Sequence, residues 1–147
     1  MFRTAIAKWR GNKTSGEGSV STESGVLKDV FYSFGASPNV DPCTSPGEML
    51  AAAAASCMAA MVSLEVAELG EVAQEIEVQT ELRVEEIDGR WTVVEGHLEV
   101  VAHDALIPDR LFNRAVERAQ RDCLVTRALN IPISISTKVL VPDRAGI

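Results

Sequence analysis

Residues 49–64 carry no charged side chain, and seven of the sixteen are alanine. Such a run is either a membrane span or a helix buried in protein. A span needs roughly 20 consecutive apolar residues, usually rich in Leu and Ile; this run is shorter and made of small side chains, so membrane insertion is not expected. The flanks read as helix ends. Ser45 is a good N-cap, Pro46 suits the first helical position, and Glu48 stands third, completing a capping box. Gly70 offers the C-terminal stop. Leu50, Ala53, Ala54, Cys57, Met61 and Leu64 recur at spacings of three and four along one face, while the opposite face stays apolar until Glu65. A helix apolar all round must be covered all round. A chain of 147 residues has few elements with which to do that, so a second copy is expected to complete the cover, as an intertwined homodimer about a two-fold axis.

Length fits one domain over residues 1–147. Hydrophobic residues make up 46% and charged residues 24%, which excludes wholesale disorder. The formal charge of −7 argues against a nucleic-acid partner, whose phosphates select basic surfaces. Three cysteines are too few, and odd in number, for a disulfide-stapled secreted scaffold. Arg3 and Lys8 interrupt the N-terminal segment, so it does not read as a signal peptide. A cytoplasmic, reducing setting with free thiols is the expectation.

Along the chain, residues 2–9 partly alternate and predict a half-buried strand. Residues 11–18 predict a turn or loop, residues 19–27 and 30–34 are β-prone, and residues 35–46, with three prolines, predict a loop. Residues 75–87 alternate cleanly. Asp88-Gly89 is a two-residue hairpin signal, and residues 90–102 return as a second long strand. Pro108 and Asp109 open a second helix through Leu111, Phe112, Ala115, Val116 and Ala119 to Cys123, broken by Asn130-Ile131-Pro132. Residues 133–141 close as a strand, with Ile133, Ile135, Thr137 and Val139 on one side. Strands in runs predict an α+β fold with antiparallel sheets.

Histidine contributes little chemistry. His97 and His103 lie in or just past a strand, without the spacing of a metal site, and read as structural. No phosphate-binding glycine loop is present. Cys43 reads as a semi-exposed loop thiol. Cys57, mid-helix on an apolar face, reads by itself as an inert core thiol. Cys123 ends the second helix among Arg118, Arg121 and Arg127, which would favour a thiolate if they face it. Cys57 and Cys123 are far apart in sequence but both on core-facing helical positions. They either meet and run a thiol redox cycle, or stand too far apart to bond.

Three segments together resemble the OsmC/Ohr family of osmotically inducible and organic hydroperoxide resistance proteins: residues 21–27 (Ser-Thr-Glu-Ser-Gly-Val-Leu), the helix start at Ser45-Pro46-Gly47-Glu48 leading into Ser56-Cys57, and residues 122–129 (Asp-Cys-Leu-Val-Thr-Arg-Ala-Leu). The first segment and Trp9 resemble the OsmC branch. The resemblance implies an intertwined homodimer with antiparallel sheets from both chains wrapped around two central Ala-rich helices. It implies a thiol peroxidase acting on organic hydroperoxides, with Cys57 as the peroxidatic and Cys123 as the resolving cysteine. A dithiol such as dihydrolipoamide would regenerate the pair, and no metal or organic cofactor is implied. Cys57 thiolate would attack the outer peroxide oxygen and release an alcohol; Cys123 would then condense with the sulfenic acid.

The chain also departs from the family pattern. The family glutamate directly after the helix proline is Gly47 here, and Glu48, rotated by about 100° on the helix, is the accessory candidate. The OsmC-branch arginine position aligns with Ser37, and no arginine lies between Arg10 and Arg83. Leu124 replaces the proline after the resolving cysteine. Arg10 and Lys13 are the substitute cations to consider. Slower peroxidase activity is expected. The alternative is a non-catalytic dimer that binds a small lipophilic molecule in its interface pocket.

Overall fold

The alternation, turn and capping signals produce six strands and three helices among the described residues, 1–12, 15–33 and 43–143 of a computed structural model. They fall into two units, Met1–Leu50 and Ala51–Ile147.

In the first unit, β1 (Ala5–Arg10), β2 (Glu17–Thr22) and β3 (Val30–Tyr32) form an antiparallel sheet in the order β1-β2-β3. The first strand was expected to be half-buried, but only Trp9 on it is partly covered. β2 also ends earlier than its β-prone composition predicts. Thr22 N–H donates to the Leu27 carbonyl (2.9 Å) and Gly25 adopts φ +72°, so residues 23–27 form a turn. Trp9, Gly18 and Tyr32 stand in one cross-strand row. The two rings lie 6.0 Å apart, and a Cβ on Gly18 would collide with the Tyr32 ring. Phe34 and residues 35–42 of the proline-bearing segment lie outside the described residues.

Helix α1 (Pro46–Glu68) starts and stops where its caps dictate. Glu48 N–H donates to Ser45 Oγ at 3.2 Å, but the Glu48 carboxylate accepts from the Thr44 hydroxyl (3.3 Å). At the far end Gly70 takes φ +75°. Its N–H donates to the Ala67 carbonyl and that of Glu71 to the Val66 carbonyl, a Schellman pair. By length and composition α1 is the one helix among the described residues that would reach across a bilayer. One ridge of it, Ala54, Met58, Val62 and Val66, is instead enclosed by protein. The helix was expected to be covered all round; this ridge shares Ala54 with the face traced in the sequence but lies about 100° from its Cys57 and Met61, and Leu64 on that face is 61% exposed.

In the second unit β4 (Glu75–Ile87) and β5 (Arg90–His103) pair antiparallel through the Asp88-Gly89 turn, both residues of which have positive φ. The chain then runs through α2 (Asp109–Asp122) and α3 (Leu124–Ala128) into β6 (Ile133–Val139). β6 pairs with β5 in parallel, which corrects the expectation of wholly antiparallel sheets. The helical connection carries the chain back to the end where β5 began, so the next strand can only run in the same direction. The sheet order is β4-β5-β6. Cross-strand partners Val78, Val100 and Thr137 share one face with Leu98, Ala102, Ile133, Ile135 and Val139. That face joins Met58, Val62 and Val66 of α1 and Phe112, Ala115, Val116 and Ala119 of α2 in one core.

The opposite face is polar. Arg83 bridges Glu85 and Glu95. The ring nitrogens of His97 are bonded to the hydroxyls of Ser134 (2.7 Å) and Ser136 (3.0 Å), and His103 Nε2 lies 2.8 Å from Glu77. Both histidines are thus tied into the sheet surface, in line with a structural reading.

Candidate active site

The core brings one pair of reactive groups together. Cys57, on α1 beside the buried ridge, is partly covered, and Cys123, between α2 and α3, is fully enclosed. Their sulfurs lie 2.9 Å apart as two free thiols. Sixty-six residues separate them in sequence, and the contact depends on a break at Cys123. That residue leaves the α2 spiral for an extended conformation (φ −66°, ψ 116°), while its N–H still donates to the Ala119 carbonyl. It serves α2 as C-cap and α3 as N-cap. Extended backbone at this one residue turns the chain between the two helices and leaves its Sγ against α1.

Burial is the largest influence on both thiols and pushes each up. On Cys57 the neighbouring Cys123 adds to that rise, the N–H groups of Val125 and Leu124 oppose it, and the thiol stays above its ordinary value. On Cys123 the contact from Cys57, the Thr126 hydroxyl and the N–H groups of Thr126 and Val125 together outweigh burial and hold the thiol below its ordinary value. The Cys123 side chain makes no capping hydrogen bond at the start of α3. Thr126 is the buried polar residue of the core, with its hydroxyl 3.3 Å from the Cys123 carbonyl and 3.4 Å from that of Gln120. No guanidinium is among the leading influences on either sulfur.

Of the arginines near Cys123, Arg127 is exposed and the other two are engaged elsewhere. Arg118 Nε lies 3.1 Å from Glu65 Oε2, off the line of its N–H, so this is a charge contact rather than a directed hydrogen bond. Arg121 is paired with Asp122, raising the one group's pKa and lowering the other's through their hydrogen bonds. Glu48, the accessory candidate, is exposed in the first turn of α1, two and a half turns before Cys57. Cys43 is exposed, with its sulfur 3.4 Å from Ser33 Oγ. Arg10 is exposed at the end of β1, and Lys13 and Ser37 lie outside the described residues. Among the described residues, Glu75, Glu77 and His103 alone bring three ligand atoms within 4.8 Å of one another. They lie on the polar sheet face, where the imidazole already occupies the carboxylates.

Ending the second helix at Cys123, with no element read between it and Asn130, hid the part played by residues 124–126. An N-cap side chain receives the N–H groups two and three residues on, so recognising Cys123 as an N-cap would have pointed to Val125 and Thr126. Leu124 replaces a proline, and a proline would bring no N–H toward Cys57.

Helices α1 and α2 sharing one core with a β4-β5-β6 sheet, and a cysteine pair joining α1 to the end of α2, define an α+β thiol protein. Residues 39–138 match the family of OsmC-like proteins, and the chain belongs to that family. It is 28% identical over 135 residues to the peroxiredoxin OsmC of Escherichia coli strain K12, covering 92% of this chain and 94% of that one. The structure resembles an OsmC-like protein from Mycoplasma pneumoniae with a TM-score of 0.80 at 10% identity, over 95% of this chain and 98% of that one. It also resembles an organic hydroperoxide resistance protein from Elizabethkingia anophelis with a TM-score of 0.70 at 18% identity, over 97% and 99%.

Proposed function

We propose that this chain is a thiol peroxidase that reduces organic hydroperoxides to alcohols, working in the cytoplasm as a homodimer. The observation that carries the reading is the 2.9 Å contact between the free thiols of Cys57 and Cys123. Cys57 is the more accessible sulfur and takes the peroxidatic role. Its thiolate attacks the outer oxygen of the hydroperoxide, the O–O bond breaks, and the alkoxide leaves as the alcohol once protonated. Cys123 then attacks the Cys57 sulfenic acid, and the disulfide forms with loss of water. A dithiol such as dihydrolipoamide restores both thiols by exchange. Family membership and the likeness to a peroxiredoxin support this chemistry.

Turnover is slower than in a relative with an arginine beside its peroxidatic sulfur. Burial holds the Cys57 thiol up, Gly47 brings no carboxylate, and Glu48 is committed to Thr44. The homodimer rests on α1, where only one ridge of an apolar cylinder is buried and Leu64 is left exposed. Ile6 and Phe31 are likewise exposed. Steady-state reduction of cumene hydroperoxide with dihydrolipoamide tests the reading. Wild-type protein turns over, and its intact mass after brief peroxide treatment falls by two hydrogens per chain, whereas Cys57→Ser is inactive. Activity unchanged in Cys57→Ser would remove Cys57 from the mechanism. A wild-type protein that stays reduced under peroxide while binding a lipophilic dye would favour a non-catalytic carrier.

A further inference from the structure

We infer that Thr126 is a positioning residue for disulfide formation: its buried hydroxyl spans the break between α2 and α3 and so holds the Cys123 sulfur against Cys57. The role rests on the peroxidase reading above, in which Cys123 resolves the Cys57 sulfenic acid. The last turn of a helix frays because its carbonyls lack partner N–H groups. Cys123 caps the last turn of α2, so its sulfur moves with that turn. Before the break, α2 is anchored on α1. Ala115, Val116 and Ala119 share a core with Met58, Val62 and Val66, and Arg118 Nε stands 3.1 Å from Glu65. Beyond it, α3 has five residues, too few for a helix to hold itself.

In an unbroken helix the Gln120 carbonyl would accept the Leu124 N–H. At the break Cys123 turns extended (ψ 116°), and the Thr126 hydroxyl donates to the Gln120 carbonyl at 3.4 Å. The same hydroxyl lies 3.3 Å from the Cys123 carbonyl. One donor shared between two carbonyls is a common arrangement at helix ends. The Gln120 limb closes the last turn of α2 from within α3. The Cys123 limb fixes the peptide plane that follows the cysteine. A side-chain rotamer depends on its own φ and ψ, so the Cys123 Sγ inherits both constraints. Among the described residues, no other side chain hydrogen-bonds from α3 to α2. Thr126 is only 6% exposed, and a hydroxyl so enclosed is costly unless bonded.

The step that needs this alignment is attack on the sulfenic acid. The Cys123 sulfur forms the S–S bond as the S–O bond of Cys57 breaks, and the departing hydroxide leaves as water with the Cys123 proton. From 2.9 Å the sulfurs have less than about 1 Å to travel to disulfide length. A misplacement of about 1 Å can cost such an intramolecular step about a hundredfold.

Thr126→Val keeps the shape and removes the hydroxyl, whereas Thr126→Ser keeps the hydroxyl. Both are made in Cys43→Ser protein, which lacks the exposed loop thiol. In a single turnover with cumene hydroperoxide, Thr126→Val should lose its Cys57 thiol at the parent rate. It should then convert the sulfenic acid to disulfide about tenfold or more slowly, read as accumulated dimedone adduct in the intact mass. Thr126→Ser should restore the parent rate. Equilibration with reduced and oxidised glutathione, which needs no peroxide, should show the Cys57–Cys123 disulfide about tenfold less favoured in Thr126→Val. A hydroxyl that only stabilises the fold would lower the denaturant midpoint and move neither measurement. Disulfide closure in Thr126→Val at the parent rate with an unmoved glutathione equilibrium overturns the inference and leaves the peroxidase reading standing. Failure of Thr126→Ser to restore closure does the same. If wild-type protein ignores peroxide, that reading falls, and the glutathione equilibrium alone decides the role of Thr126. Should Thr126→Val not fold, Thr126→Ala removes the same hydroxyl and must show the same losses.

Discussion

Cys57 and Leu124 show how single residues set the chemistry. With burial raising the Cys57 thiol and a thiolate required for attack, peroxidase rate should climb with pH as the thiol pair ionises, and fall on acidification as both sulfurs are protonated. Leu124 contributes through its backbone rather than its side chain, which is 71% exposed. Cys123 already has the extended conformation favoured before proline, and proline suits the first position of a helix. Leu124→Pro should therefore fold normally yet shift alkylation of Cys57 to higher pH, because one N–H near that sulfur disappears. An unmoved alkylation profile in a folded Leu124→Pro protein would show that this N–H has no such effect. The positions of the cysteines were legible in the sequence as core-facing helical sites. The donors around them were not, because they are main-chain groups exposed only by a local break in the helix.

At the scale of elements, α1 illustrates both the reach and the limit of periodicity. Ser45, Pro46 and Gly70 marked its ends because caps are local chemistry, settled within a few residues. Gly70→Ala should cost about 1 kcal/mol, since alanine is strained at the positive φ that Gly70 adopts; a denaturant titration measures it. The inward face was not legible. When nearly every position is apolar, the pattern carries no directional signal, and the choice among ridges falls to what packs against it. Met58 is fully buried against β5 and α2 in the chosen arrangement. Met58→Ala should destabilise the protein by about 2–5 kcal/mol, because it opens a cavity in the core. A loss much below that would mean the ridge is not packed as described. Likewise, alternation identified β4, β5 and β6 and their core faces. The parallel pairing of β6 was hidden because the same alternation serves either direction.

At the scale of the whole molecule, the prediction is association. An Ala-rich helix with one buried ridge leaves apolar surface that a second copy would cover, with the same patch repeated by symmetry. Sedimentation equilibrium should give twice the chain mass, and Leu64→Glu, placing a charge on the exposed side of α1, should shift the protein toward monomer without unfolding it. A wild-type monomer at micromolar concentration would sink the proposed dimer. The sequence by itself determined what local rules govern: the caps of α1, the Asp88-Gly89 hairpin, the alternating strands and the placement of cysteines on two helices. Tertiary structure alone decided which ridge of α1 faces inward, that β6 runs parallel to β5, and that two sulfurs sixty-six residues apart stand 2.9 Å from each other. The physical reason is range. Hydrogen bonding and backbone sterics within a few residues fix local elements, whereas the meeting of distant side chains depends on how whole surfaces exclude water together.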